Sequence, residues 1–369
     1  MEPGSHVRLA ASWCNLLMSP HPVQGGAEMT SNPPNSFSRT APTVETVRPR
    51  EGRGPAKSRP WAGRPVGLLG CGAHVPEGLL TNADLERMVE TSDEWIRTRT
   101  GIRERHLAAA GEATSDLATR AARDALRSAA LDPGELELIL VATATPDSPV
   151  PATACHVQRQ LGAGQATGFD VAAGCSGFVV ALMTAHGLMA GGGFGNALVV
   201  GAEVMSSITD YSSREICVLM GDGAGAVVLS TACEGPTLID HLTGMDGTGA
   251  DLIEVAAGGS RRPATVETVE TGEHYLRMRG RDVFRFAVTK VPAIVRELLA
   301  RNDLAPADVA LFVPHQANAR ILEAVARELD VGLERFAVNI DRFGNTSAAS
   351  IPIALEEASR TGRLARGDH

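Results

Sequence analysis

Long apolar runs, paired cysteines and an excess of basic charge are all missing from this 369-residue chain, and each absence removes a class of function. No stretch of about 18 uninterrupted apolar residues occurs, so a membrane-spanning helix is not expected. The 6 cysteines, at positions 14, 71, 155, 175, 217 and 233, show no CxxC and no paired spacing. That pattern argues against both a zinc site and a disulfide framework and suits a reduced, cytoplasmic setting. A formal net charge of -9 offers no long-range attraction to nucleic acid or to anionic lipid, so a basic partner surface would have to be a local patch. What the chain does have is 44% apolar content over a length that can bury a substantial core.

The first 65 residues differ from the rest. Ten of the 21 prolines lie there, with eight Lys/Arg against four Asp/Glu, a composition that reads as a disordered, mildly basic extension. The stretch from Leu9 to Met18 is interrupted by Ser12 and Asn15 and has only Arg8 ahead of it, which does not make a secretory signal. Residues Thr30 to Arg64 are Arg/Ser-rich and acid-poor, compatible with an organelle transit peptide, or with a true start at Met29.

From Val66 onward short apolar runs alternate with longer amphipathic segments, the pattern of an α/β layered fold. Strands are expected at Val66 to Cys71, Leu138 to Thr143, Gly168 to Val171, Ala197 to Val204, Ala224 to Ser230 and Leu311 to Val313. Leu117, Ala121, Ala125, Leu126 and Ala129 form a stripe at helical spacing over Ser115 to Ala130, closed by Leu131-Asp132-Pro133-Gly134. A second stripe, Val283, Ala287, Val291, Ile294 and Leu298, predicts a helix over Arg281 to Arg301, bent at Pro292.

Three strand-to-helix turns carry chemistry. Asp170-Val171-Ala172-Ala173-Gly174-Cys175-Ser176-Gly177 places Cys175 at the start of a small-residue helix, where the macrodipole and unpaired amides lower a thiol pKa. A lone thiol is more often a buried structural cysteine. Val313-Pro314-His315-Gln316-Ala317-Asn318 presents His315 from a second turn, and Asn339 to Ser350 presents Asn345 after Gly344 from a third. A single histidine is commonly a satisfied core residue and a single Asn after Gly a turn former. Their joint occurrence at like positions is harder to explain blandly.

These segments, DVAAGCSGF, PHQAN and GNTSAAS, resemble the Cys-His-Asn motifs of the β-ketoacyl-ACP synthase III family, and the likeness runs from about Val66 to the last residue. The resemblance implies an α/β thiolase-like fold, internally duplicated in five layers α-β-α-β-α. It sets a first half over residues 66–235 with the nucleophile Cys175 and a second over 236–369 with His315 and Asn345, usually in a homodimer. It also implies that Cys175 takes an acyl group from acyl-CoA. His315 Nε2 and Asn345 Nδ2 then stabilise the enolate formed when malonyl-ACP loses carbon dioxide, with no metal or redox cofactor. In Thr91 to Ile102 the likeness assigns Trp95 to stacking on adenine and Arg99 to the nucleotide, and it assigns Arg214 to the opposite face of the adenine. Gly280 and Asn318 match residues around the pantetheine arm. Arg285, Arg320 and Arg327 match basic positions that would dock the acidic acyl carrier protein.

Two departures from the family pattern stand out. Val150 falls where acetyl-selective members carry a phenylalanine that closes the acyl pocket, so longer or branched primers are expected. Arg360 to Asp368 reads like the segment before the family's last strand hairpin, whose glycine-rich turn adds an oxyanion-hole donor, and this hairpin is not found before His369. The residues leave open an ester-forming acyltransferase, a polyketide-priming synthase and an inactive paralogue that acts by subunit association. A papain-like hydrolase also uses Cys, His and Asn, but in a different order and context.

Overall fold

The computed structural model describes residues 63–233, 235–364 and 368. The reading of residues 1–65 as an extension, with its transit-peptide and Met29 alternatives, lies outside the described residues except for the last three. In chain order the elements begin with β1 (Gly67–His74), β2 (Gly78–Thr81), α1 (Asn82–Glu86), α2 (Asp93–Thr100), β3 (Glu104–Leu107), α3 (Thr114–Ala129), β4 (Leu138–Ala142), α4 (Thr153–Leu161) and β5 (Thr167–Val171). They continue through α5 (Gly177–Ala190), β6 (Asn196–Glu203), α6 (Arg214–Cys217), β7 (Gly223–Ser230), β8 (Ile253–Val255), α7 (Val266–Glu270) and β9 (Leu276–Met278). The last helices are α8 (Gly280–Arg301), α9 (Ala319–Leu329), α10 (Ile340–Phe343) and α11 (Ser350–Arg360).

Five of the six expected strands form one mixed sheet in the order β1-β7-β6-β4-β5. The strands β4, β5 and β6 run parallel to one another, whereas β7 is antiparallel to both β6 and β1. All residues of β4 are buried, because helices cover both faces of the sheet, and this is why the strand reads as a continuous apolar run. Ile139 and Val141 face the layer of α3 and α4, packing with Leu117, Ala121, Ala125 and Val157. Leu138, Leu140 and Ala142 face the other way, onto Phe178, Ala181 and Met189 of α5. Each large apolar side chain buried in this manner contributes about 1.5–3 kcal/mol. The helix α3 ends where its sequence predicts: Ala130 turns left-handed at φ 51° and Leu131 N donates back to Leu126 O at 3.1 Å.

The C-terminal helix α11 packs on the same sheet, with its Ile351 and Leu355 in the cluster that holds Phe178 and Val227. Seating a helix this close requires strands without side chains at the crossing. A Cβ added at Gly201 of β6 would lie 2.3 Å from Ala348 O, and one at Gly225 of β7 would lie 2.7 Å from Ile353 N. These two glycines set the depth at which α11 and the Ser347–Ala349 turn before it rest on the sheet.

The expectation of a strand over Leu311 to Val313 is corrected. Phe312 makes a single parallel bridge to Phe336, with Phe312 N donating to Arg335 O at 2.7 Å and Ala337 N to Phe312 O at 2.8 Å. Among the described residues this bridge has no further neighbour from which a ladder could extend, and its stability comes from the two stacked rings, 5.0 Å apart. The long helix α8 runs on through Pro292, its one buried residue, and its expected stripe is only half-buried because it packs chiefly on α9, with Val291 and Val295 against Val325 and Leu329.

Gly201→Ala should force α11 off β6, since the obstacle is a backbone carbonyl that cannot rotate away. The expected loss is about 1–3 kcal/mol, read as a lower urea midpoint at unchanged slope. An unchanged midpoint would mean that the close crossing at Gly201 does not contribute to stability.

Candidate active site

Cys175 lies in the 3-10 turn Gly174–Ser176 that links β5 to the 14-residue helix α5. The strand end is pinned by Asp170, whose carboxylate accepts from Thr153 N at 2.6 Å and Ala154 N at 2.8 Å and so also caps α4. Cys175 is thereby held at the helix start where the sequence puts it, after a strand end anchored to α4. Cys175 is half-buried, and its turn lies against the Ser347–Ala349 turn.

His315 acts on the thiol from a distant part of the chain. Its Nδ1 lies 2.6 Å from Ser350 Oγ, and Ser350 Oγ also donates to Ser347 O at 3.0 Å. The serine has one hydrogen for two acceptors. With that hydrogen on Ser347 O, His315 carries its own on Nδ1, and Nε2 is a base. With the hydroxyl turned to Nδ1, the imidazole hydrogen sits on Nε2, which becomes a donor.

Asn345 is placed by backbone. Its N donates to Leu219 O at 2.8 Å and its O accepts from Gly221 N at 3.1 Å, a parallel bridge to Met220. The preceding Gly344 adopts φ 66°, ψ -157°, a region essentially reserved for glycine, and a Cβ there would lie 2.8 Å from Leu219 O. Ser347 N donates to Asn345 Oδ1 at 2.9 Å, so the carbonyl end of the side-chain amide is engaged and Nδ2 is the donor end.

Burial pushes the Cys175 thiol up, but the charge and hydrogen bond of His315 and the hydroxyl of Ser347 outweigh it, and the thiol lies below its ordinary range. The negative charge of Glu203 opposes that shift. Glu203 is fully buried, and burial pushes its carboxyl above the usual range against the pull of hydrogen bonds from Thr145, Ala144, Ser347 and Thr143.

A second group beneath the site is Arg105, also fully buried. It donates to Leu80 O (3.1 Å), Asn82 Oδ1 (2.9 Å) and Val218 O (2.9 Å), and burial lowers its pKa to about 10. It thus ties the segment that pairs with Asn345 to the base of α1. Neither Glu203, Ser347, Ser350 nor Arg105 was singled out by sequence reasoning. An acid closing the apolar run Ala197 to Val204 was the available signal for Glu203; Arg105 gave none, since charge on a short strand reads as surface.

Trp95 of α2 stands between two arginines, with the Arg214 guanidinium 4.8 Å and that of Arg99 6.0 Å from its ring centroid. Arg214 also donates to Glu90 O at 2.8 Å. Asn318 has both ends of its amide engaged, Oδ1 capping α9 through Arg320 N at 2.9 Å and Nδ2 donating to Arg99 O at 3.1 Å. It joins α9 to α2. Gly280 opens α8 and is exposed. Arg320 and Arg327 are exposed on α9, and Arg285 is exposed on the adjacent α8 with Asp282 2.7 Å away. Val150 is 82% exposed in the loop after β4, so within one chain it walls no pocket.

Comparison with known proteins places this geometry in context. Residues 169–247 match the family described as 3-oxoacyl-[acyl-carrier-protein] synthase III, and residues 299–369 match its C-terminal domain. The chain is similar to a β-ketoacyl-[acyl-carrier-protein] synthase III of Roseiflexus, 51% identical over 302 residues that span 82% of this chain and 92% of the relative. Its fold is similar to the crystal structure of 3-oxoacyl-[acyl-carrier-protein] synthase III from Aquifex aeolicus, with a TM-score of 0.74 and 43% identity over 82% of this chain and 93% of that one. It is likewise similar to the priming β-ketosynthase of a polyketide pathway, with a TM-score of 0.75 and 34% identity over 83% and 91%.

Replacing His315 by Ala removes both the charge and the hydrogen bond that hold the thiol down. The pH midpoint for alkylation of Cys175, followed on its own peptide by mass spectrometry, should rise by about one unit or more, with slower labelling at neutral pH. A midpoint left in place would show that the histidine does not set the thiolate.

Proposed function

Because the chain belongs to the β-ketoacyl-[acyl-carrier-protein] synthase III family, we propose that Cys175, His315 and Asn345 carry the family's decarboxylative condensation. The observation that carries this assignment is the meeting of three parts. They are a thiol held below its ordinary range, an imidazole whose hydrogen can sit on either nitrogen, and an amide with its oxygen already engaged.

In the first half-reaction the Cys175 thiolate attacks the carbonyl of an acyl-CoA. The carbon-sulfur bond to CoA breaks, and the leaving thiolate takes from His315 the proton that the imidazole had accepted from the Cys175 thiol, which leaves the ring neutral with its one hydrogen. In the second, the carboxylate of malonyl-ACP leaves as carbon dioxide, and its bonding pair becomes an enolate. Nε2–H of His315 and Nδ2–H of Asn345 are the donors for the developing oxyanion. The enolate carbon then attacks the acyl-cysteine carbonyl, releasing β-ketoacyl-ACP and the thiolate. Dividing the reaction at the acyl-enzyme gives ping-pong kinetics. No step calls for a metal or redox cofactor.

Trp95, Arg99 and Arg214 are the proposed nucleotide site. With Arg214 at 4.8 Å from the indole there is no room for a ring between them, so adenine would stack on Trp95 as Arg214 withdraws and closes over it. Gly280 would let the pantetheine arm pass α8, and Asn318 would hold α9 against α2 at its side. Arg285, Arg320 and Arg327 share the α8 and α9 surface and form the proposed patch for the acidic carrier protein on an enzyme of net charge -9.

The exposed residues Thr167 to Phe169 on the outermost strand β5 leave a sheet edge open to a second copy. We propose a homodimer in which such pairing covers Val150 and makes it part of an acyl pocket. The boundary near residue 235 is read as the junction of two related halves, 66–235 and 236–369. No described helix is long and apolar enough to cross a membrane, and a cytoplasmic site of action is proposed on the strength of the free cysteines. Polyketide priming is a second reading favoured by the 34% identical priming synthase, and it uses the same condensation.

Incubation with acyl-CoA should add the acyl mass to Cys175 in the wild type and not in Cys175→Ala. Asn345→Ala should still be acylated but should lose about 10²–10³ in condensation rate. Absence of the acyl adduct on the wild type would overturn the assignment. Trp95→Ala should raise KM for acyl-CoA about tenfold with kcat retained, the equivalent of ~1.4 kcal/mol of stacking. Primers of roughly four to eight carbons should exceed acetyl-CoA in kcat/KM if Val150 leaves the pocket open; equal or faster turnover of acetyl-CoA would count against it.

A further inference from the structure

We infer that Ser347 is a further catalytic residue, its hydroxyl serving the Cys175 sulfur, and that Glu203 is a positioning residue that orients it through a buried hydrogen bond. The inference rests on the reading of Cys175 as the nucleophile.

Glu203 closes β6 and is 0% exposed. One carboxylate oxygen, Oε2, accepts from the exit of β4: Thr143 Oγ1 at 3.1 Å, Ala144 N at 3.0 Å, Thr145 N at 3.1 Å and Thr145 Oγ1 at 2.7 Å. The other, Oε1, faces the second half and accepts from Ser347 Oγ at 3.0 Å and Ala348 N at 3.5 Å, while Ala144 N also lies 3.2 Å from it. The side chain therefore bridges the two halves directly behind the nucleophile. A bridge alone does not require a charge. Burying a carboxylate costs several kcal/mol before its hydrogen bonds are counted, and a neutral amide of the same shape would span the same gap.

Ser347 is equally unexpected for a purely structural turn. It adopts φ 48°, a left-handed conformation that costs a non-glycine residue about 1 kcal/mol or more and glycine almost nothing. A serine kept in a glycine conformation points to a use for its hydroxyl. That hydroxyl donates to Glu203 Oε1 at 3.0 Å from a turn packed against the turn of Cys175, and it favours the ionised thiol, so it has one hydrogen for two anions.

The consequence is a donor whose direction follows the state of the nucleophile. While the sulfur is a thiolate, before acyl transfer and again as the product leaves, the hydrogen turns to sulfur. While the sulfur carries the acyl group, the hydrogen returns to Glu203 Oε1. No covalent bond changes in Ser347 or Glu203. The charged groups that act most strongly on Cys175 are His315, which favours the thiolate, and Glu203, which opposes it. Glu203 thus keeps the thiolate from becoming too stable, which would make it a poorer nucleophile.

The test compares the pH midpoint of Cys175 alkylation, read on its own peptide, in wild type, Glu203→Gln and Ser347→Gly. Gln keeps the shape, removes the negative charge and can donate to Ser347 Oγ, which frees the serine hydrogen for sulfur; the midpoint should fall by about one unit. Glycine accepts φ 48° without strain and lacks only the hydroxyl, so that variant should fold, and its midpoint should rise by about one unit. A midpoint in Glu203→Gln that is unchanged or higher overturns the part given to Glu203, and one in Ser347→Gly that is unchanged or lower overturns that given to Ser347. Urea unfolding of both variants identifies any loss of fold, which a purely structural role would produce without moving the Glu203→Gln midpoint downward. Acylation of the wild type is scored in parallel: its failure refutes Cys175 as the nucleophile, whereas acylation with unmoved midpoints refutes only this inference.

Discussion

The catalytic geometry depends on how closely α11 and the turn before it rest on the first sheet. Two strand glycines, Gly201 and Gly225, let backbone approach backbone, and the pairing of Asn345 with Leu219 and Gly221 stitches the turn to the segment leading into β7. Because these contacts are between main-chain atoms, they have almost no freedom to adapt. A shift of one ångström at this crossing would move the asparagine amide, the Ser347 hydroxyl and the Ser350 hydroxyl together relative to the cysteine. A site assembled from distant segments is only as precise as the surface on which they meet.

Around that surface the electrostatics are balanced rather than maximised. Burial alone would hold Cys175 as a neutral thiol, and His315 alone would hold it as a strongly stabilised thiolate. The buried Glu203 lies behind the pair and weakens the second effect. Its carboxylate is tolerated in the core because donors from the exit of β4 and from the Ser347 turn surround both oxygens. Arg105 is accommodated by similar means, with carbonyl and amide oxygens in place of a counter-ion. Two buried groups of opposite sign thus brace the site, Glu203 with both oxygens engaged and Arg105 through its two terminal nitrogens.

Much of the fold was legible because its signals are local. Runs such as Leu138 to Ala142 are apolar at every position since both faces of the sheet are covered, and the stripe of α3 meets the core at helical spacing. Leu311 to Val313 shows the limit of such signals: the run is apolar, yet a strand exists only where another strand supplies hydrogen-bond partners, and here a single bridge forms. Val150 shows another limit, since its likeness to a pocket-closing position says nothing about which surface it faces in one chain.

The sequence alone singled out Cys175, His315 and Asn345 as candidates, because each sits in a turn with its own small-residue signature, although only the turn of Cys175 follows a strand. The tertiary structure alone decided which atoms of those residues can act. Ser347 N engages the oxygen of Asn345, Ser350 governs the hydrogen on His315, and Glu203, 144 residues before Ser347 in the chain, competes for its hydroxyl. Such roles depend on distances of about 3 Å between distant parts of the chain, and no local pattern records them.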